Sequence, residues 1–210
     1  MKTIVPTITA EDPHTYRSQI ERVQSIAIRL HIDLMDGIFT PNKSIDTSLV
    51  WWPEIVKADI HLMFQKPETE LQTLIKLKPQ MVIIPAESDC DIPSFSKKLN
   101  EVGIKCGVAL LAETSVESVK GILDEIQHLL IFSGNLGHQG GSIADLKLLQ
   151  KVEQAKTINP NLEIAWDGGV NESNITVIAQ AGVDIINVGG FIHAAPDPVV
   201  AYNTLNALLA

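Results

Sequence analysis

The chain has 210 residues, enough for one α/β domain with a full core, and 45% of them are hydrophobic while only 5% are aromatic. A formal charge of −9 leaves no basic stripe for a nucleic-acid partner, although backbone N–H groups can still hold a small phosphorylated ligand. No apolar run approaches the ~20 residues of a membrane span. Met1-Lys2 leads into a strand-like stretch without signal-peptide organisation, and Cys90 and Cys106 lack metal or disulfide spacing, so a reduced cytoplasmic protein is expected.

In chain order, β-rich runs fall near 3–8, 26–34, 58–64, 80–85, 104–110, 128–132, 163–167 and 183–188. Helix-like segments lie between most of them, with apolar residues at helical spacing over 68–77, 116–126 and 143–157. Proline and acidic residues at Pro67-Glu68-Thr69-Glu70 mark a helix start, and Asn171–Asn174 and Pro196-Asp197-Pro198 offer caps to two more. Alternating strands and helices imply parallel βαβ units. Eight units in this length, with no linker, predict one (β/α)8 TIM-barrel domain over residues 1–210; an open doubly wound sheet is the alternative.

The second strand reads Ile26-Ala27-Ile28-Arg29-Leu30-His31-Ile32-Asp33-Leu34-Met35. Alternation puts Ile28, Leu30, Ile32 and Leu34 toward the helices and Arg29, His31, Asp33 and Met35 toward the barrel interior. The third strand repeats the pattern with His61 inward, and the seventh ends in Asp167. Two imidazoles and two carboxylates at three strand ends make a donor set suited to one divalent ion, Zn²⁺, Fe²⁺, Mn²⁺ or Co²⁺. Taken singly, a strand histidine is usually a hydrogen-bonded interior residue and a strand-end aspartate often a helix cap. Together, two inward carboxylates call for a compensating cation, and Arg29 is the competing candidate through a buried salt bridge.

Glycine clusters follow the last three strands: Gly134 to Ser142 with Gly137, Gly140 and Gly141, then Gly168-Gly169, then Gly189-Gly190. Loops after the last barrel strands are a common phosphate site, and glycine lets backbone N–H groups approach an anion closely. The stretch 134–142 is also long enough for a lid.

With these residues placed, the chain resembles the ribulose-phosphate 3-epimerase family along its whole length. His31-Ile32-Asp33-Leu34-Met35-Asp36-Gly37 with Phe39 and Pro41-Asn42, and Asp59-Ile60-His61-Leu62-Met63, are similar to its first two signatures. Asp167-Gly168-Gly169 and Gly189-Gly190 resemble the third and fourth, and Pro6-Thr7 resembles an opening Pro-Ser whose hydroxyl lies near substrate. The resemblance implies that His31, Asp33, His61 and Asp167 bind the metal, with Asp33 and Asp167 also the acid–base pair. It implies inversion at C3 of D-ribulose 5-phosphate and D-xylulose 5-phosphate through a metal-stabilised enediolate, in the pentose phosphate pathway. Met35 and Met63 would keep water out, and the phosphorylated ketose would meet Thr7 and the glycine turns. A homo-oligomer is implied as well, and Trp51-Trp52 beside Leu49-Val50 reads either as a contact patch or as a cover for the barrel.

Three segments depart from the family pattern: Ile84-Pro85-Ala86-Glu87, where a His-x-Glu is usual; Leu111-Ala112, in place of Asn-Pro, with Thr114 retained; and Ser133 to Gly141, in place of Asn-Pro-Gly-Phe-Gly-Gly-Gln. All three are expected around the substrate rather than the metal. They leave two alternatives: an epimerase of another ketose phosphate such as a hexulose 6-phosphate, or a non-catalytic sugar-phosphate-binding barrel. His138 reads as a substrate contact or, more simply, an exposed loop histidine. The related decarboxylases and hexulose-phosphate synthases carry an Asp-x-Lys-x-x-Asp cluster on strand three that His61-Leu62-Met63 does not supply.

Overall fold

A computed structural model describes residues 2–138 and 140–209. Eight parallel strands close into a barrel in sequence order: β1 Thr3–Thr9, β2 Arg29–Met35, β3 Lys57–Met63, β4 Met81–Pro85, β5 Lys105–Leu110, β6 His128–Phe132, β7 Glu163–Asp167 and β8 Ile185–Val188. Closure is made by β1 against β8, with Thr3 opposite Ile185 and Pro6 opposite Val188. The open-sheet alternative is thereby excluded. Around the barrel run α1 Pro13–Val23, α2 Leu71–Leu77, α3 Ile92–Asn100, α4 Gln150–Ile158, α5 Ile175–Gln180, α6 Gly190–Ala194 and α7 Pro198–Ala207. None of the described helices is long and apolar enough to cross a membrane.

Two apolar layers follow from the period-two alternation. Leu30, Ile32 and Leu34 of β2, with Ile60 and Leu62 of β3, are buried against residues such as Tyr16 and Ile20 of α1. Burying each such side chain contributes about 1.5–3 kcal/mol. Inside the barrel a separate cluster of Val5, Met81, Ile83, Ala109, Leu130, Ala165 and Ile185 fills the middle. That plug leaves only the C-terminal ends of the strands open for a site.

Several boundaries differ from expectation, for local reasons. β2 begins at Arg29, because the amides of Ile26 and Ala27 still bond to Val23 O and close the end of α1. Ile28 is therefore 72% exposed and does not join the helix-facing row. The helix expected over 116–126 is a 3₁₀ turn over Val116–Ile122, where Gly121 weakens α-helix propagation. The helix expected over 143–157 starts as a 3₁₀ turn at Leu146–Leu149, capped by Asp145, and continues as α4. Pro67 does open a 3₁₀ turn that leads into α2, and Asp197 accepts from the Val199 and Val200 amides to cap α7. Asn174 does not cap α5; its carbonyl accepts from Asn171 N and its amide donates to Gly169 O, bracing the turn after β7.

Trp52 packs against the core, and the exposed Trp51 lies edge-on to Tyr16 at 6.1 Å with the Arg17 guanidinium 5.5 Å from its ring. Trp52 therefore covers the barrel flank, while Trp51 stays exposed beside α1. Both cysteines are free thiols.

Candidate metal and sugar-phosphate site

The C-terminal ends of β2, β3 and β7 bring the four expected donors together. His31, Asp33, His61 and Asp167 each present one ligand atom, and these atoms all lie within 4.8 Å of one another. His31 Nε2 is 3.3 Å from Asp33 Oδ1 and 3.6 Å from Asp167 Oδ2, and His61 Nδ1 is 3.1 Å from Asp33 Oδ1. All four are at least nine-tenths buried, although they come from positions 31 to 167. His31 Nε2 has no hydrogen-bond partner among the described residues although it points into this centre. A buried nitrogen without a partner beside two buried carboxylates is the environment a divalent cation satisfies, so the residues fit such an ion.

The same geometry separates the two acids. Burial works against ionised Asp33, but the imidazoles of His31 and His61 beside it outweigh that and hold its pKa well below the usual carboxylate range. Asp167 is pushed up to about 7, first by burial and then by the charge of Asp33, with His31 opposing. The two carboxyl groups thus differ in proton affinity although they share one centre.

Arg29 is not the counter-charge for these aspartates. Its Nε lies 2.6 Å from Asp59 Oδ2 and its NH2 2.9 Å from Glu163 Oε2, at the N-terminal end of the barrel. His128 Nδ1 adds a 2.7 Å contact to Glu163. The buried salt bridge anticipated for Arg29 exists, but on the far side of the apolar plug from the cluster.

Above the cluster a cavity is lined by Thr7, Met35, Met63 and the glycines at 137, 140, 141, 168, 169, 189 and 190. Each residue expected to meet substrate therefore faces one space. The glycines let backbone segments touch: a Cβ on Gly169, whose φ is +69°, would lie 2.1 Å from Ala144 N, and one on Gly190 would lie 2.7 Å from Gly140 Cα. The loop after β6 is seated on the turns after β7 and β8 through these contacts. On its other side Asn42 donates from Nδ2 to Gly137 O at 2.8 Å and approaches His138 Nδ1 at 3.1 Å. His138 is exposed and lines the cavity, which leaves both of its readings open. Gln139 lies outside the described residues.

Of the three divergent segments, only the third lines the cavity. Glu87 instead accepts hydrogen bonds from Leu111 N and from the Thr114 hydroxyl, while Lys151 Nζ donates to Leu111 O and Ala112 O at 2.8 Å. The first two segments thus satisfy one another and do not line this cavity. Asp36, part of the first signature, is likewise structural: it accepts from the amides of Ile38, Phe39 and Gln65.

Three lining residues are not evident from the motifs. Thr9 donates its hydroxyl to Asp33 Oδ2 at 2.8 Å, Phe132 places its ring 6.0 Å from that of His61, and Asn187 Nδ2 lies 3.1 Å from His31 Nδ1. Their signal was period-two alternation alone, which puts Thr9 two residues after Thr7 and Asn187 two after Ile185.

The comparisons agree with the site. The sequence model described as Ribulose-phosphate 3 epimerase family matches residues 3–193. A ribulose-phosphate 3-epimerase of Helicobacter pylori (strain ATCC 700392 / 26695) is 32% identical over 208 residues, covering 96% of this chain and 95% of that one. One from Aquifex aeolicus is 29% identical over 218 residues, covering 100% and 97%. Among solved structures, 3-hexulose-6-phosphate synthase from Salmonella typhimurium superposes with a TM-score of 0.76 at 16% identity, over 100% of this chain and 98% of that one. KGPDC from Streptococcus mutans gives 0.78 at 11% identity, over 100% and 97%. At those identities the two structures share the fold alone. With the family match spanning nearly the whole barrel and its signature residues gathered at one centre, the chain belongs to the ribulose-phosphate 3-epimerase family.

Proposed function

We propose that the chain is a metal-dependent isomerase that inverts C3 of D-ribulose 5-phosphate and D-xylulose 5-phosphate. The observation that carries this reading is the His31–Asp33–His61–Asp167 cluster, two acids and two imidazoles at the open end of a barrel whose middle is sealed. The substrate phosphate would rest against the backbone at Gly168-Gly169 and Gly189-Gly190, with the loop bearing Gly137, Gly140 and Gly141 above it. Thr7 would meet the sugar.

Asp33 and Asp167 come from strands three steps apart around the barrel, β7 to β8 to β1 to β2. In one direction one carboxylate takes the C3 proton from one face of the sugar, and the other returns a proton to the opposite face. In the reverse direction they exchange roles. Thr9 holds Asp33 Oδ2, so that acid keeps its orientation between turnovers. Met35, Met63 and Phe132 line the same space and exclude water, which would otherwise exchange with the carried proton. A bound divalent ion supplies positive charge for the sugar oxygens that become negative when the proton leaves.

The test is a coupled assay for interconversion of the two pentulose phosphates, with and without chelator, repeated in deuterated water. Chelator-sensitive turnover with deuterium at C3 is the expected result. Folded, metal-loaded protein that turns over neither sugar, while another ketose phosphate acquires deuterium at C3, would move the assignment to that sugar. Ligand binding without any exchange at C3 would end the catalytic reading.

A further inference from the structure

The inward positions of β8 alternate through Ile185, which belongs to the apolar plug, to Asn187, the first polar residue above it. Asn187 is 1% exposed. An amide buried beside an apolar layer costs several kcal/mol unless it is hydrogen-bonded, and an aliphatic residue would fill this position without that cost. Its only hydrogen-bond contact among the described residues is His31 Nδ1, at 3.1 Å, and its Oδ1 has none.

That contact is coupled to the tautomer of His31. With the amide nitrogen against Nδ1, a neutral imidazole accepts at Nδ1 and carries its hydrogen on Nε2, the atom that points between Asp33 and Asp167. A half-turn of the amide places Oδ1 against the ring instead. Nδ1 then carries the hydrogen and donates it, and Nε2 presents a lone pair. A lone pair aimed at two carboxylates is favourable only with a cation between them. The amide can serve both states because it has a donor and an acceptor at nearly the same place.

We propose that Asn187 is a positioning residue for the metal: by accepting from Nδ1–H of His31 it fixes the tautomer that leaves Nε2 as ligand. This rests on the metal-dependent reading above. Val5 and Asp167 are its register neighbours on β1 and β7, and the Asp167 carboxylate faces His31 at Nε2, not at Nδ1.

The experiment compares wild-type protein with Asn187→Val and Asn187→Asp after chelator stripping, using Co²⁺ as the probe. Affinity is read by competition with a chromophoric chelator, and geometry by the visible Co²⁺ spectrum. Asn187→Val is expected to bind Co²⁺ about 10- to 100-fold more weakly, the usual effect of removing a partner behind a metal-bound histidine. Its metal-free melting temperature should be equal to or above that of wild type, since a buried amide has been removed. Asn187→Asp, which also accepts from Nδ1–H, should restore the affinity. On the wild-type protein, long-range ¹H–¹⁵N correlation with Zn²⁺ bound should show the hydrogen of His31 on Nδ1. Co²⁺ binding by Asn187→Val within twofold of wild type, or the hydrogen on Nε2 with Zn²⁺ bound, overturns the inference alone. Wild-type protein that takes up no Co²⁺ overturns both the inference and the metal reading beneath it.

Discussion

At the scale of single residues, the two carboxylates are the points where small changes have large consequences. Asp33→Asn and Asp167→Asn each keep the shape of the side chain and remove a group proposed to carry the proton. Turnover in the coupled assay should fall by at least about 10²-fold, the lower end of what one general acid or base supplies, while the circular dichroism spectrum stays that of wild type. An Asp167→Asn variant of near-normal rate would remove the two-acid mechanism. His61→Ala should act differently, lowering metal content after dialysis before it affects anything else. These residues were legible in the sequence because His-x-Asp on an alternating strand puts both side chains on one face. Thr9 and Asn187 were not singled out. Thr9 lies one strand from Asp33 and Asn187 two strands from His31, and the second neighbourhood exists only once β1 closes against β8.

At the scale of elements, the loop after β6 and the lower end of the barrel make separate predictions. Gly169→Ala would place a methyl carbon 2.1 Å from the Ala144 amide nitrogen, a backbone atom that can yield only by moving the loop. The Michaelis constant for the phosphorylated sugar should rise by about tenfold or more, with a smaller change in kcat, because the loop borders the proposed phosphate site rather than holding the acids. At the other end, Glu163 is held well below the usual carboxylate range: burial opposes its charge, but His128 and Arg29 outweigh it. A depressed folded-state pKa contributes stability above the unfolded value of 4.5, and that stability is lost as pH falls toward the folded value. Wild-type protein should therefore lose stability below about pH 4.5 more steeply than Glu163→Gln, as read from urea midpoints across that range. At pH 7 the variant should be less stable by about 1–3 kcal/mol, since Arg29 and His128 lose a partner at a partly exposed group. Arg29 was legible as an inward charge. Its partners were not, because Glu163 is 134 residues away in sequence and meets Arg29 only through barrel closure.

For the molecule as a whole, a cation that ties β2, β3 and β7 together stabilises the native barrel by mass action. At metal concentrations about 100-fold above the dissociation constant the gain is about 2.7 kcal/mol, which for a domain of this size is roughly 5–10 °C in Tm. Calorimetry of stripped and metal-loaded protein should show that rise, and His61→Ala should lack most of it. Equal Tm values for stripped and loaded wild-type protein would contradict a metal held by three strands.

The sequence by itself determined the alternation of eight strands with helices, the inward faces of those strands and the chemical character of the site. Those properties are local: a period of two selects the face of a strand, and glycine or proline punctuates its end. It also carried the signatures that the family match bears out. Only the tertiary structure decided which inward charges meet, because Arg29 and Asp33 share one face of β2 yet end on opposite sides of an apolar plug drawn from six other strands. It likewise separated the divergent segments into two that brace each other and one that lines the cavity. Those outcomes depend on contacts between residues far apart in the chain, which exist only after the barrel closes.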